Sequence, residues 1–268
     1  MVFDPDELFD RRYFEHFLDD RPYDRSPRWV NHFHTIARQL VNDFSPATVL
    51  DVGCAIGVLV EQLRSLGVDA RGFDVSQYAV DQAPEHLNDY IWQDSILNDK
   101  AAQARFDLVL CIEVVEHLPS ESAHKAIENL CKWGDLIVFS SSPYDFEEAT
   151  HFNVQPPGFW VEKFAQFGFI RRLDYDVSYV IPWAMVLQKQ EAHVPSLARQ
   201  YEDHLWFTSQ RNRGLQNNAL KLQNRLDLLE GHLGQQQRHM EEQQAQLTAN
   251  ARHIASLEEQ LAYQNNHM

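Results

Sequence analysis

Nine residues, Val49-Leu-Asp-Val-Gly-Cys-Ala-Ile-Gly57, constrain the fold of this chain more than any other stretch. An apolar run carrying one acid, Asp51, opens at once into a glycine-rich turn. Val60, Leu63 and Leu66 then recur at helical spacing, and Gly67 supplies a stop. The spacing predicts strand, tight turn and helix, the first unit of a doubly wound α/β domain that binds its ligands at the carboxyl edge of the sheet. A dinucleotide fingerprint reads G-x-G-x-x-G, whereas here Gly53, Ala55 and Gly57 are evenly spaced behind the acid. Asp51 would repel a pyrophosphate and favours a ligand that carries positive charge. Ala55 stands in the middle of the turn and is expected to keep a negative φ there.

With 268 residues, 44% of them hydrophobic, the chain can build one large core and still carry an appendage. Every Trp and Phe lies at or before Phe207, and most of the formal charge of −16 falls before residue 200. Such an acidic globular part repels phosphate backbones, which argues against general nucleic-acid binding. Cys54, Cys111 and Cys131 fall on expected buried elements without CxxC spacing. They read as reduced core residues of a cytoplasmic protein. No apolar run is long enough to span a bilayer, so membrane association is expected only through a partner.

Taken in order, residues 1–45 form an acidic, aromatic segment (Phe9, Tyr13, Phe14, Phe17, Tyr23, Trp29) that ends in a helix over 29–43. After the first unit, Ala70–Asp74 reads as a second strand. Its terminal acid, Asp74, lies where an α/β nucleotide fold places a ribose-binding carboxylate. Ser76 is expected to cap a short helix. Tyr90–Ile96 reads as a third short strand leading to Asp94 and Ser95. The strand Leu108–Ile112 is apolar throughout, as a central parallel strand should be, and delivers Glu113, Glu116 and His117 to the carboxyl edge. Leu136–Ser140 is the fifth strand. A long polar and aromatic loop follows, carrying Tyr144 and the run Ala149-Thr-His-Phe-Asn-Val-Gln-Pro-Pro157; loops of that length over a ligand edge are usually functional. Phe159, Trp160, Phe164 and Phe167 form a helical stripe, and 169–188 reads as two closing strands with a turn near Val180–Trp183.

Val49–Gly57 resembles motif I of the class I S-adenosylmethionine-dependent methyltransferases, usually hhDhGCGxG, with Ala55 replacing a glycine. Glu113-Val-Val-Glu-His117 resembles their motif IV region in its E-x-x-E-H form. The resemblance implies a Rossmann-like seven-stranded sheet with helices on both faces over 46–190. It implies S-adenosylmethionine bound by Asp51, Gly53, Cys54, Ala55 and Gly57 at motif I, by Asp74 and Val75 at the ribose, and by Asp94, Ser95 and Ile96 at the adenine. Cys111 and Glu113 would flank the cofactor, and Tyr23 and Arg25 would reach its methionine carboxylate, although Arg25 can equally pair with a surface acid. His117 and His151 are the candidate bases, with Tyr144 as a weaker third. Glu113, Glu116, His117 and His151 also resemble the metal-binding set of small-RNA 2′-O-methyltransferases, which implies Mg²⁺ or Mn²⁺ as a second cofactor. The E-x-x-E-H part recurs in ubiquinone-pathway O-methyltransferases. The Tyr-Asp-Arg-Ser entry and the Thr-His-Phe-Asn-Val-Gln-Pro-Pro loop resemble bacterial methyltransferases associated with glycosyltransferases. That implies a sugar hydroxyl of a surface glycan, or of its lipid-linked precursor, as acceptor and a glycosyltransferase as partner. Alternatives are a quinone-like or natural-product acceptor, RNA, or a coiled-coil scaffold with an inactive domain.

Beyond a linker at 191–204 the pattern changes. Leu226, Leu233, Met240, Leu247, Ile254 and Leu261 recur every seven residues, and Leu215, Leu222, Leu229 and Leu257 form a second row at the offset of a and d positions. The second row also holds Gln236, Gln243 and Asn250, and charges at e and g are sparse. Residues 205–262 are expected to form a long, parallel, self-associating coiled coil, with 263–268 as its tail.

Overall fold

A computed structural model of the chain describes residues 8–15, 22–191 and 194–266. The Phe17 part of the aromatic reading lies outside them. Seven strands form one mixed sheet in the order β3-β2-β1-β4-β5-β7-β6. They are β1 (Thr48–Val52), β2 (Asp69–Asp74), β3 (Ile91–Gln93), β4 (Leu108–Ile112), β5 (Leu136–Ser140), β6 (Phe169–Arg172) and β7 (Met185–Lys189). The first five run parallel, and β7 inserts antiparallel between β5 and β6. The fold class expected from the sequence is the one observed.

Helices α1 (Arg11–Glu15), α2 (Pro27–Phe44), α3 (Val58–Ser65), α4 (Gln77–Asp81), α5 (Ala123–Trp133) and α6 (Pro157–Ala165) accompany the sheet. Alternate side chains of each strand point to opposite faces, so the parallel strands feed two cores. Val49, Leu108 and Val138 pack with Ile36 and Leu40 of α2 and Leu59 and Leu63 of α3. Leu50, Val109, Ile137 and Phe139 pack on the other face with Ile127, Leu130 and Trp133 of α5 and Trp160 and Phe164 of α6. The helical aromatic stripe is therefore core. All three cysteines are buried thiols.

Several boundaries differ from the sequence reading for local reasons. The third strand keeps only three residues: the Asp94 N–H makes the last ladder bond, to the Asp74 carbonyl oxygen at 2.9 Å, and its side chain accepts from the Ser95 backbone N–H and the Asn98 amide as the chain turns away. The last two strands are joined by a segment from 173 to 184 that is longer than a hairpin turn, and the turn expected near Val180–Trp183 lies within it, closed by the Ala184 N–H on the Ile181 carbonyl oxygen at 2.9 Å. Ala55 has φ +47°, against the expected negative value. Its left-handed backbone costs roughly 1–2 kcal/mol, offset in part by a hydrogen bond from its N–H to the Asp74 carboxylate at 2.8 Å.

The chain divides into two compact units at residue 200. A single helix, α7 (Val194–Asn266), makes up the described part of the second unit and already begins within the stretch read as linker. The leucines of its heptad rows from Leu215 to Leu257 are exposed; the Leu261 side chain lies outside what is described. No described helix is long and apolar enough to cross a membrane.

Gly72 sits opposite Asp51 in the β1–β2 ladder. A Cβ there would stand 2.7 Å from Cys54 Cβ and 2.9 Å from the Asp51 carbonyl oxygen. Only a glycine in β2 lets the Val49–Gly57 turn pack so closely. Gly72→Ala is expected to cost about 1–3 kcal/mol by overpacking, read as a lowered midpoint in thermal denaturation; an unchanged midpoint would contradict this packing.

Candidate active site

The carboxyl ends of β1, β2, β3 and β4 open on one cavity of about 580 Å³. Its floor is the first turn, where Asp51, Gly53, Cys54 and Ala55 line the wall. Asp74 and Val75 enter from the end of β2, Asp94, Ser95 and Ile96 from the end of β3, and Glu113 and His117 from the segment after β4. Tyr23 closes the opposite side together with Phe9, Tyr13 and Phe14. Sheet order explains the convergence: adjacent parallel strands end side by side, so residues far apart in sequence share one edge.

Five expected site residues lie off this wall, one of them Glu116, which belongs to the cluster beside it. Arg25 donates to the Ile56 carbonyl oxygen at 2.9 Å and pairs with Glu61, the surface-acid alternative. Gly57 forms the N-cap of α3 at φ +74°. Cys111 is wholly buried between β1 and β5. Tyr144 is 64% exposed and meets Trp183 edge-on at 5.2 Å.

The electrostatics of the wall are acidic. Asp51 and Asp74 are buried, and no Lys or Arg is among the described lining residues. Burial, helped by the neighbouring Asp74 charge, pushes the Asp51 carboxyl up to about 7. Burial also raises Asp74, while the backbone N–H groups of Ser76, Ala55 and Val75 hold it down. Those bonds occupy part of its acceptor capacity and leave room for more, since a carboxylate offers about four lone-pair sites. Burial keeps the Tyr23 hydroxyl protonated, and the Asp51 charge adds to that effect.

A second constellation borders the cavity. Ligand atoms of Glu116, His117 and His151 lie within 4.8 Å of one another. The loop after β5 wraps back on the Glu116–His117 turn to bring them together. The Ser142 N–H donates to Glu116 Oε1 at 3.1 Å, and the Asn153 N–H donates to the Glu116 carbonyl oxygen at 2.9 Å. His117 Nδ1 lies 3.1 Å from the Thr150 carbonyl oxygen, and His151 Nδ1 lies 2.9 Å from that of Asp145. Both carbonyls accept only, so each ring carries its proton on Nδ1 and keeps the Nε2 lone pair available. Glu116 Oε2 is buried beside the Ser141 hydroxyl and meets no donor at hydrogen-bond geometry. Burial and the neighbouring Glu113 charge raise the Glu116 carboxyl well above the usual range. Burial also pushes His117 down to about 4, with His151 adding to the shift.

This donor set fits a divalent cation: one carboxylate oxygen lacks a partner, and two imidazoles are oriented by backbone carbonyls in the manner of metal-site histidines. Glu113, expected as a fourth ligand, is not in the cluster. It has φ +53°, and its Oε1 accepts from the Trp183 indole N–H at 2.8 Å. The sequence reading did not single out Asp145, Glu148, Thr150 or Ile181. Three belong to a loop whose course is set by hydrogen bonds to the Glu116–His117 turn, and no periodic pattern announces them.

Residues 23–153 match a family model described as a methyltransferase domain. A ubiquinone biosynthesis O-methyltransferase of Azoarcus sp. (strain BH72) is 34% identical over 106 residues, 37% of this chain and 46% of that protein. The protein of the same name from Coxiella burnetii (strain Dugway 5J108-111) is 35% identical over 136 residues, 44% of this chain and 56% of that protein. The chain thus spans about half the length of these curated relatives. Among solved structures, magnesium protoporphyrin IX methyltransferase from Synechocystis PCC 6803 with bound SAH is similar at a TM-score of 0.47 and 19% identity, over 59% of this chain and 81% of that one. The acid-bearing turn, the Asp74 strand end, the sheet order and the matched family model agree: over residues 23–153 the chain is a methyltransferase domain of the class I, S-adenosylmethionine-dependent type.

Proposed function

We propose that the chain is an O-methyltransferase that moves the methyl group of S-adenosylmethionine onto a hydroxyl of a small, ring-shaped acceptor of phenol or quinol type. The observation that carries this reading is the Glu116–His117–His151 set beside a cavity lined with aromatic rings. The Phe9 and Tyr13 rings stand edge-on to His117 at 5.3 and 6.2 Å, a surface suited to a flat apolar ring. The ubiquinone O-methyltransferase relatives support oxygen as the accepting atom.

The sugar reading is less well supported than this one. Its loop residues Thr150 and Asn153 are engaged in holding the Glu116–His117 turn, and Gln155 donates to Asn153. The proposed glycosyltransferase partner goes with it. The acidic cavity wall disfavours RNA.

In the reaction the acceptor O–H gives its proton to an imidazole Nε2, on His151 or His117. The oxygen lone pair forms the new C–O bond as the C–S bond breaks, and the electron pair goes to sulfur, leaving a neutral sulfide. Holding the oxygen in line with the methyl group and excluding water is the larger part of the task. Asp51 is placed to balance the ammonium and sulfonium charge, Asp74 to accept from the ribose hydroxyls, and Asp94 to accept from the adenine amino group. A divalent cation held by Glu116, His117 and His151 would occupy those Nε2 lone pairs and would instead lower the pKa of the acceptor hydroxyl, so that its proton is lost to water rather than to an imidazole. For the second unit we propose self-association through the apolar rows of α7.

Two outcomes check this reading. Methyl transfer screened against phenols and quinols, glycans and RNA should label phenolic oxygens, fall in excess chelator and return with Mg²⁺ or Mn²⁺. Transfer only to glycan or RNA would overturn the acceptor class, and full activity in chelator would leave the histidines acting without a metal. The second outcome follows from Asp51. A cationic ligand favours its ionised form, so below about pH 7 binding must expel a proton. The affinity for S-adenosylmethionine should therefore drop about tenfold per pH unit below that value and level off above it. Calorimetry across pH reads this directly, and Asp51→Asn should flatten the profile.

A further inference from the structure

We propose that α7 pairs with a second copy of this chain in parallel and in register, an arrangement that rests on the self-association reading above, keeps the parallel orientation expected from the sequence and adds its register. The helix is continuous through Gly214, Gly231 and Gly234, and none of these glycines falls on the heptad seam. The structure also carries that seam toward the N-terminus. Leu205 continues the a row and Tyr201 the d row, and both are exposed at 58% and 42%. From Ala219 to Ile254 every a position is apolar. The seam from Tyr201 to Leu257 thus spans roughly eight heptads and about 85 Å, well past the three or four that mark a sustained coiled-coil seam.

Charge selects the orientation. Flanking charges are sparse but sorted by sign. The g positions hold Arg211, Arg225 and four histidines with no acid, and the e positions hold Glu202, Glu230 and Glu258 with no base. In a parallel pair each g residue faces the e residue of the following heptad on the other helix, which places Arg225 against Glu230 and His253 against Glu258 of the second copy. In an antiparallel pair g faces g and e faces e, so the e glutamates would meet one another and the g arginines would lose their acidic partners; such flanking pairs set orientation in coiled coils.

The polar layers agree. Asn212 at a, and Gln236, Gln243 and Asn250 at d, each meet their own kind in a parallel, in-register pair. An amide in a seam can hydrogen-bond a facing amide and is left unsatisfied against a leucine. An antiparallel pair with full overlap sets Gln236 against Leu226 and Gln243 against Ala219. A register slip of one heptad in the parallel pair likewise sets Asn212 against Ala219. Chain connectivity then attaches the residues before 201 of both copies at the same end of the rod.

The test uses the full chain. Light scattering should give a whole multiple of the 31.3 kDa chain mass. The single variants Leu205→Cys and Leu257→Cys, each alone under mild oxidation, should both give covalent dimers, because parallel register brings each position against itself. A monomeric mass for the full chain would overturn self-association itself. An oligomer in which covalent dimers form only when the two variants are mixed would overturn the parallel orientation and leave self-association standing.

Discussion

One carboxylate ties the cofactor edge together. Asp74 accepts from the Ala55 N–H at 2.8 Å and from the Ser76 N–H at 2.9 Å, so the turn after β1 and the start of α4 hang on the end of β2. The Ser76 hydroxyl accepts from the Ala79 N–H at 3.1 Å and donates to the Phe9 carbonyl oxygen at 2.6 Å. The aromatic segment that covers the cavity is thereby joined to the same point. The left-handed Ala55, the close approach over Gly72 and the position of Phe9 against His117 all depend on this junction. Two acceptor sites of this acid are engaged inside the protein, and the residue also lines the cavity.

The described cavity wall collects carboxylates from five segments and no lysine or arginine. Burial, with a neighbouring carboxylate adding to it, raises Asp51 in that wall and Glu116 beside it. On the proposed reading the S-adenosylmethionine cation would sit near Asp51 and a divalent ion near Glu116, and the wall would hold the neutral sulfide product less firmly than the sulfonium.

The sheet, the acids at its strand ends and the heptad rows were legible in the sequence because each follows a short period or a fixed offset from a strand. Asp51, Asp74 and Asp94 stand one β-strand apart in space, and strand ends can be found from apolar runs. The long loop resisted reading because its course is dictated by hydrogen bonds to the Glu116–His117 turn. Thr150, which orients His117, and Glu148 in the cavity wall have no periodic signature. Arg25 lies off the cavity wall and Glu113 outside the Glu116–His117–His151 cluster for a common reason: each has a nearer partner, Glu61 and Trp183, that sequence spacing does not reveal.

The central claim is that the edge formed by β1, β2 and β4 holds S-adenosylmethionine through Asp74. Calorimetric titration of the full chain with S-adenosylhomocysteine, the demethylated product, tests it most directly. One binding event per chain is expected, weakened by roughly 1–3 kcal/mol in Asp74→Ala through the loss of its buried hydrogen bonds, in a variant confirmed by circular dichroism to remain folded. Absence of binding to the unaltered chain, or equal affinity in a folded Asp74→Ala variant, would contradict the account.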